Sequence, residues 1–313
     1  MHEYLEVKMN ATNQNNTLNN VDELLHKPGD IQKWREAYYW NWIDLENKIT
    51  GCSTIGIIPN EHRREIFFFL FVDNKRIIYY REPALSEYVY DIDVMLKDKR
   101  LAYKLIKPFQ TWEITYKCPQ FEFNINWVTR FDTYLFKKDF SVAWHTHFES
   151  SGVIKGEIKY KDGTSKKIRG YGQRDKSWGI RDWHGVDRWI AGQFQFKNWN
   201  CGLRKDYYAN KIDVSGYIST KEGLIPIKDV EIDIIDNNDS LKTPLITTYH
   251  ITDVNGKTYN IEARLIDKNS IFRFARQFPD GYTELFEEMV IMKDLDNGEI
   301  GSGMSEHLRT EKF

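Results

Sequence analysis

Two short stretches of this chain carry residue types that could do chemistry. One is Trp144-His145-Thr146-His147-Phe148-Glu149, and the other is Gly170-Tyr-Gly-Gln-Arg-Asp-Lys-Ser-Trp-Gly-Ile-Arg-Asp-Trp183. On a β-strand, alternate residues share a face. His145, His147 and Glu149 would then stand together. Tyr171, Gln173, Asp175 and Ser177 would form a second polar row, with Arg174 and Lys176 on the opposite side. Burial in an apolar wall disfavours the charged form of a carboxyl and keeps it protonated near neutral pH, so Asp175 could act as an acid. His147 or Glu149 would position it or receive a proton. Two alternatives stand beside this one for the first stretch: a metal site built from its two His and Glu, and a plain solvated face. For Asp175 the alternative is an ion pair with Arg174 or Arg181. Arg181 and Asp182 read as a structural pair clamping a junction. Tyr171, Gln173, Ser177, Trp178, Trp144 and Trp42 are the expected substrate-facing residues.

Strands must position these side chains. Short runs of β-branched and aromatic residues recur every eight to twelve positions, separated by turn signals such as Asp73-Asn74, Lys161-Asp162-Gly163 and Asn255-Gly256. Strands are expected at 66–72 and 76–80 as a hairpin, then near 88–93, 101–106, 111–117, 120–128, 140–149, 153–160 and 166–176. A second series runs from 188 to 293. The fold class expected is all-β, with two lipocalin-like antiparallel barrels or sandwiches in tandem. The expected division is a disordered Asn-rich tail over 1–20, one domain over 21–185 and a second over 186–313.

Composition narrows the function. The net charge of −2 gives no electrostatic footprint for nucleic acid. Ten Trp and an aromatic share of 15% suit the walls of apolar pockets. Cys52, Cys118 and Cys201 lack metal-ligand spacing and read as free thiols in a reducing compartment. There is no signal peptide pattern, and the most apolar run, Ile66–Val72, is too short to span a bilayer. A cytoplasmic protein is expected. No dinucleotide, Walker or zinc pattern is present, so the site is expected to use no cofactor and no metal.

The string His147-Phe-Glu-Ser-Ser-Gly152, the central string from Gly170 to Trp183, and the ending Gly301-Ser-Gly303 with Glu306 together resemble the lipocalin-like carotenoid hydratase (hydroxyneurosporene synthase) superfamily. Tocopherol-cyclase-like proteins and lipocalin-like Diels–Alderases are related to that group. The resemblance implies two lipocalin-like domains around a ligand cavity, with Asp175 and His147 at the positions held essential in the hydratases. Glu149 stands where those enzymes carry Trp, Gln173 where they carry Tyr, and Lys176 where the motif usually has His. The function expected is a cofactor-independent cyclase or hydratase acting on carbon–carbon double bonds of an apolar isoprenoid or polyene. The alternatives are a pericyclase that uses Gln173 and Ser177 as hydrogen-bond donors, and a non-catalytic carrier of lipids or polyenes.

Overall fold

The structure is a computed structural model that describes residues 18–136 and 144–313. The chain folds as two antiparallel sheets in sequence. The first holds β1 (Trp34–Asp44), β2 (Ile49–Ile58), β3 (Arg63–Val72), β4 (Lys75–Arg81), β5 (Leu101–Lys107), β6 (Thr111–Lys117), β7 (Phe121–Thr129), β8 (Tyr134–Phe136), β9 (Thr146–Tyr160) and β10 (Ser165–Ile180). The second holds β11 (Arg188–Gln195), β12 (Trp199–Tyr208), β13 (Lys211–Thr220), β14 (Gly223–Asp236), β15 (Pro244–Asp253), β16 (Thr258–Leu265), β17 (Ile271–Phe278), β18 (Gly281–Asp294) and β19 (Ile300–Lys312). The fold is all-β, with two lipocalin-like barrel domains in tandem.

The two sheets differ in closure. The first runs β4-β3-β2-β1-β10-β9-β7-β6-β5 and curls into a half-barrel without pairing its end strands. In the second, β16 pairs with β18 and closes an eight-strand barrel, while β17 hangs on the outside of β18.

Local chemistry explains the connections. Asp73 and Asn74 both take positive φ, 54° and 58°, which matches the right-handed twist of the expected β3–β4 hairpin. The strand expected near 88–93 is not formed. The Asp91 side chain accepts from the backbone N–H groups of Asp93 and Val94 and starts a short helix, α1 (Ile92–Met95), instead. The segments expected at 140–149 and 153–160 meet in β9, where Gly152 permits strand continuity: a Cβ there would collide with the Trp127 indole. Residues 1–17 of the expected tail, and 140–143 of the expected strand at 140–149, lie outside the described residues. Asn20–Glu23 form a turn of 3-10 helix.

All of β1 is buried, on both faces. Its even-numbered residues Tyr38, Trp40 and Trp42 join Phe68, Trp112 and Trp127 in the core of the first sheet. Its odd-numbered residues Tyr39 and Ile43 face the other way and pack with Phe67, Phe69, Met289 and Met304 in a cluster shared by both sheets. The first sheet is therefore filled within its curl and docked on the second barrel by its outer face. The polar rows identified in the sequence lie on that outer face.

Candidate active site

Antiparallel register builds the site across β2, β1, β10, β9 and β8. One row reads Thr54, Tyr39, Asp175, Glu149, Tyr134. The next reads Ala37, Ser177, His147, Phe136. His147 Nε2 lies 3.5 Å from Glu149 Oε1 and 4.0 Å from Asp175 Oδ1. Its ring stacks on Phe136 with centroids 4.7 Å apart, and Trp144 meets it edge-on at 4.6 Å.

The second domain faces these rows with its own. Register places Phe272, Glu287, Glu306, Ala191 and Arg204 side by side across β17, β18, β19, β11 and β12. Between the sheets lies a cavity of about 920 Å³ of non-atom space, including its mouth to solvent. Its apolar wall is aromatic: Tyr39, Phe67, Trp144, Trp183, Trp189 and Phe274. Its polar wall carries Asp175, His147 and Ser177 with Glu287, Glu306 and the guanidinium groups of Arg35, Arg181, Arg204 and Arg276.

Burial pushes the Asp175 carboxyl up to about 6, against the pull of Arg181 and with Glu306 adding to the rise. The Asp175 side chain retains 22% exposure, and the residue lines the cavity. Glu287 is raised to about 8 by burial and by the nearby Glu306. Glu149 is raised well above the usual carboxylate range, first by burial and then by Asp175. Its Oε2 accepts from Gln173 Nε2 at 2.5 Å. Glu65 is the contrast. Burial would raise it, yet Arg35, Arg63 and Arg276 hold it at about 2. Glu306 accepts from Trp189 Nε1 at 2.5 Å, and Arg204 pairs with Asp206 at 2.8 Å.

The sequence-predicted residues divide into groups. Asp175, His147, Ser177 and Trp144 line the cavity. Glu149 and Gln173 sit behind that wall, bound to each other. Gln173 also accepts from Gln195 at 2.8 Å, and its backbone N–H donates to Asn41 at 2.9 Å, so its polar groups are engaged. With Gln173, four expectations of substrate contact are corrected. Trp42 belongs to the core inside the first sheet, because even positions of β1 point away from the cavity. Trp178 shares the face of Lys176 and stacks on His26 at 3.7 Å. Tyr171 is covered by the Arg130 guanidinium 3.9 Å above its ring. The Arg181–Asp182 pair is not made. Asp182 binds Lys33 at 2.7 Å, and Arg181 turns into the cavity over Trp183. His145 precedes β9 and lies edge-on to Trp34 at 5.9 Å, so it does not join His147 and Glu149. Among the described residues, no group of three or more His, Cys, Asp or Glu is placed to hold a metal ion.

Sequence reading missed Arg35, Tyr39 and the whole contribution of the second domain except Glu306. The alternation of β1 was visible, and its odd positions were the available signal for Arg35 and Tyr39.

The domain model DUF7064, described as a domain of unknown function, matches residues 19–311. The chain belongs to the DUF7064 family. The sequence matches no curated protein. Its fold is shared with solved structures at low identity. CghA, crystallised with Sch210972, aligns with a TM-score of 0.63 at 10% identity, over 90% of this chain and 89% of that one. A candidate AttH from Nitrosomonas europaea aligns with a TM-score of 0.66 at 10% identity, over 91% and 94%. Kievitone hydratase from Nectria haematococca aligns with a TM-score of 0.59 at 8% identity, over 94% and 95%. This DUF7064 chain thus has the lipocalin-like tandem fold expected from the hydratase and cyclase resemblance, and that fold hosts a hydratase elsewhere. No helix among the described residues is long and apolar enough to cross a membrane.

Proposed function

We propose that this protein is a cofactor-independent hydratase or cyclase that protonates a carbon–carbon double bond of an apolar isoprenoid or polyene. The observation that carries this reading is the Asp175 carboxyl, raised to about 6 and opening into an aromatic-walled cavity. Its sequence neighbours Arg174 and Lys176 face the other side of β10 and ion-pair there. The shared fold with kievitone hydratase supports the same reading.

In the proposed reaction, the Asp175 O–H proton moves to an alkene carbon and leaves a carboxylate and a carbocation. The rings of Tyr39 and Phe67 in the cavity wall stabilise the cation through their negative π-surfaces. In hydration, water adds to the cation, and the proton it then loses returns to Asp175, directly or through His147. In cyclisation, a second double bond attacks the cation, and a proton is lost from the adjacent carbon to the same carboxylate. Glu149, protonated behind the wall and bound to Gln173, keeps a second negative charge away from the spent acid.

The test is turnover of a panel of isoprenoid alkenes in deuterated water. Deuterium should enter product carbon, and kcat/KM should fall as pH rises through about 6, where Asp175 loses its proton. Product formed without deuterium would instead identify a cycloaddition, in which Ser177 and Arg181 polarise a carbonyl. Binding without turnover across the panel would identify a carrier.

A further inference from the structure

The four guanidinium groups of the cavity are not equivalent. Arg35 binds Glu65 at 2.9 Å, Arg276 binds the same carboxylate at 3.2 Å, and Arg204 binds Asp206 at 2.8 Å. Arg181 meets no carboxylate at ion-pair distance among the described residues. Its side-chain polar contact is Ser177 Oγ at 3.5 Å, and its guanidinium lies 5.1 Å over the Trp183 ring. A cation held in a low-dielectric wall without a counter-ion is costly unless something supplies one. A planar guanidinium matches a carboxylate through two parallel N–H···O bonds, and a cavity with aromatic walls matches an apolar body.

We infer that Arg181 is the recognition residue for a carboxylate on an otherwise apolar substrate. This rests on the cavity being the substrate site and names the class of molecule it takes. Two further observations agree. Burial and the neighbouring Arg35 and Arg204 push the Arg181 guanidinium down to about 9, against the weaker opposing pull of Asp175 and Glu306, neither of which reaches it at ion-pair distance. Arg181 is also the leading influence that lowers the Asp175 carboxyl. A bound carboxylate would neutralise that influence and favour the protonated acid. The substrate would then help to keep protonated the acid that protonates it, and the apparent pKa seen in kcat would lie above the one seen in kcat/KM.

The experiment is quenching of tryptophan fluorescence by farnesoic and retinoic acids and by their methyl esters. The proteins compared are the wild type, Arg181→Met, Arg181→Lys and Asp175→Asn, each checked for a folded melting transition. The wild type should bind each acid at least tenfold more tightly than its ester. Arg181→Met should bind acid and ester alike, and Arg181→Lys should keep part of the preference. Equal affinities in the wild type, a preference that survives in Arg181→Met, or no binding by either acid would overturn the inference. Asp175→Asn should keep the full acid preference while losing turnover. A failure of the proton-donor role and a failure of carboxylate recognition therefore give different results.

Discussion

One strand supplies charges to two very different interiors. Within the curl of the first sheet, β10 presents Arg174 and Lys176. Arg174 donates to both oxygens of the fully buried Glu23 at 2.8 Å, and Lys176 pairs with Glu36 at 2.9 Å. Burial would raise the Glu36 carboxyl, but Lys176 and His26 hold it below its usual value. On the other face, β10 presents Asp175, which burial raises to about 6 despite Arg181. Both faces are rich in aromatics. The first is packed, and its charges are matched; the second keeps open space, and Arg181 there meets no carboxylate at ion-pair distance among the described residues. Aromatic content alone does not mark a reactive pocket, whereas unmatched charge beside unfilled volume does.

The contrast can be broken by substitution. The largest effect is expected on the open face, where Asp175→Asn should lower turnover by roughly 10³-fold with the fold intact. Single-turnover assays and a melting curve check this, and full activity in the variant would remove the proton-donor role. The packed face should respond in stability. Glu23→Ala leaves Arg174 buried without its counter-ion and should cost about 3–5 kcal/mol in urea unfolding. Trp42→Ala opens a void in the same core and should cost a similar ~3–5 kcal/mol.

A smaller effect of opposite sign is expected for the stability of Asp175→Asn. The folded carboxyl is raised from 3.8 to about 6, so the folded state holds the proton more tightly than the unfolded chain. Wild-type stability is therefore lost as pH rises from the lower value to the upper one, and the deficit persists above it. Asn carries no such deficit. The variant should exceed the wild type at pH 7 by on the order of 2 kcal/mol, and the difference should vanish below about pH 3. Equal stability of the two proteins at pH 7 would mean that Asp175 is not desolvated. A destabilisation of comparable size is expected for Gly202→Ala. Its Cβ would run into Glu149 Oε2 and the Tyr217 ring and should cost about 1–3 kcal/mol.

The sequence made the strand rhythm legible, because alternation and turn residues are local signals. It also made legible that Asp175 and Ser177 share a face opposite Arg174 and Lys176. Alternation cannot say which face points into a curl and which onto a second domain. Trp42 was for that reason assigned to the substrate, although even positions of β1 fill the core. Glu287 and Arg204 were invisible for a different reason: they stand on strands of the second sheet and reach Asp175 only once the two sheets are docked. The Arg181–Asp182 pairing failed because a strand end splays adjacent side chains, sending Asp182 to Lys33 and Arg181 into the cavity.

The cavity is walled by both sheets, and one of its acids, Glu306, stands on β19, the last strand in chain order. During synthesis the first sheet can bury its aromatics before the second barrel exists, but the cavity cannot close until Glu306 has left the ribosome. A nascent chain stalled before β19 would be folded in part yet lack one wall of the cavity.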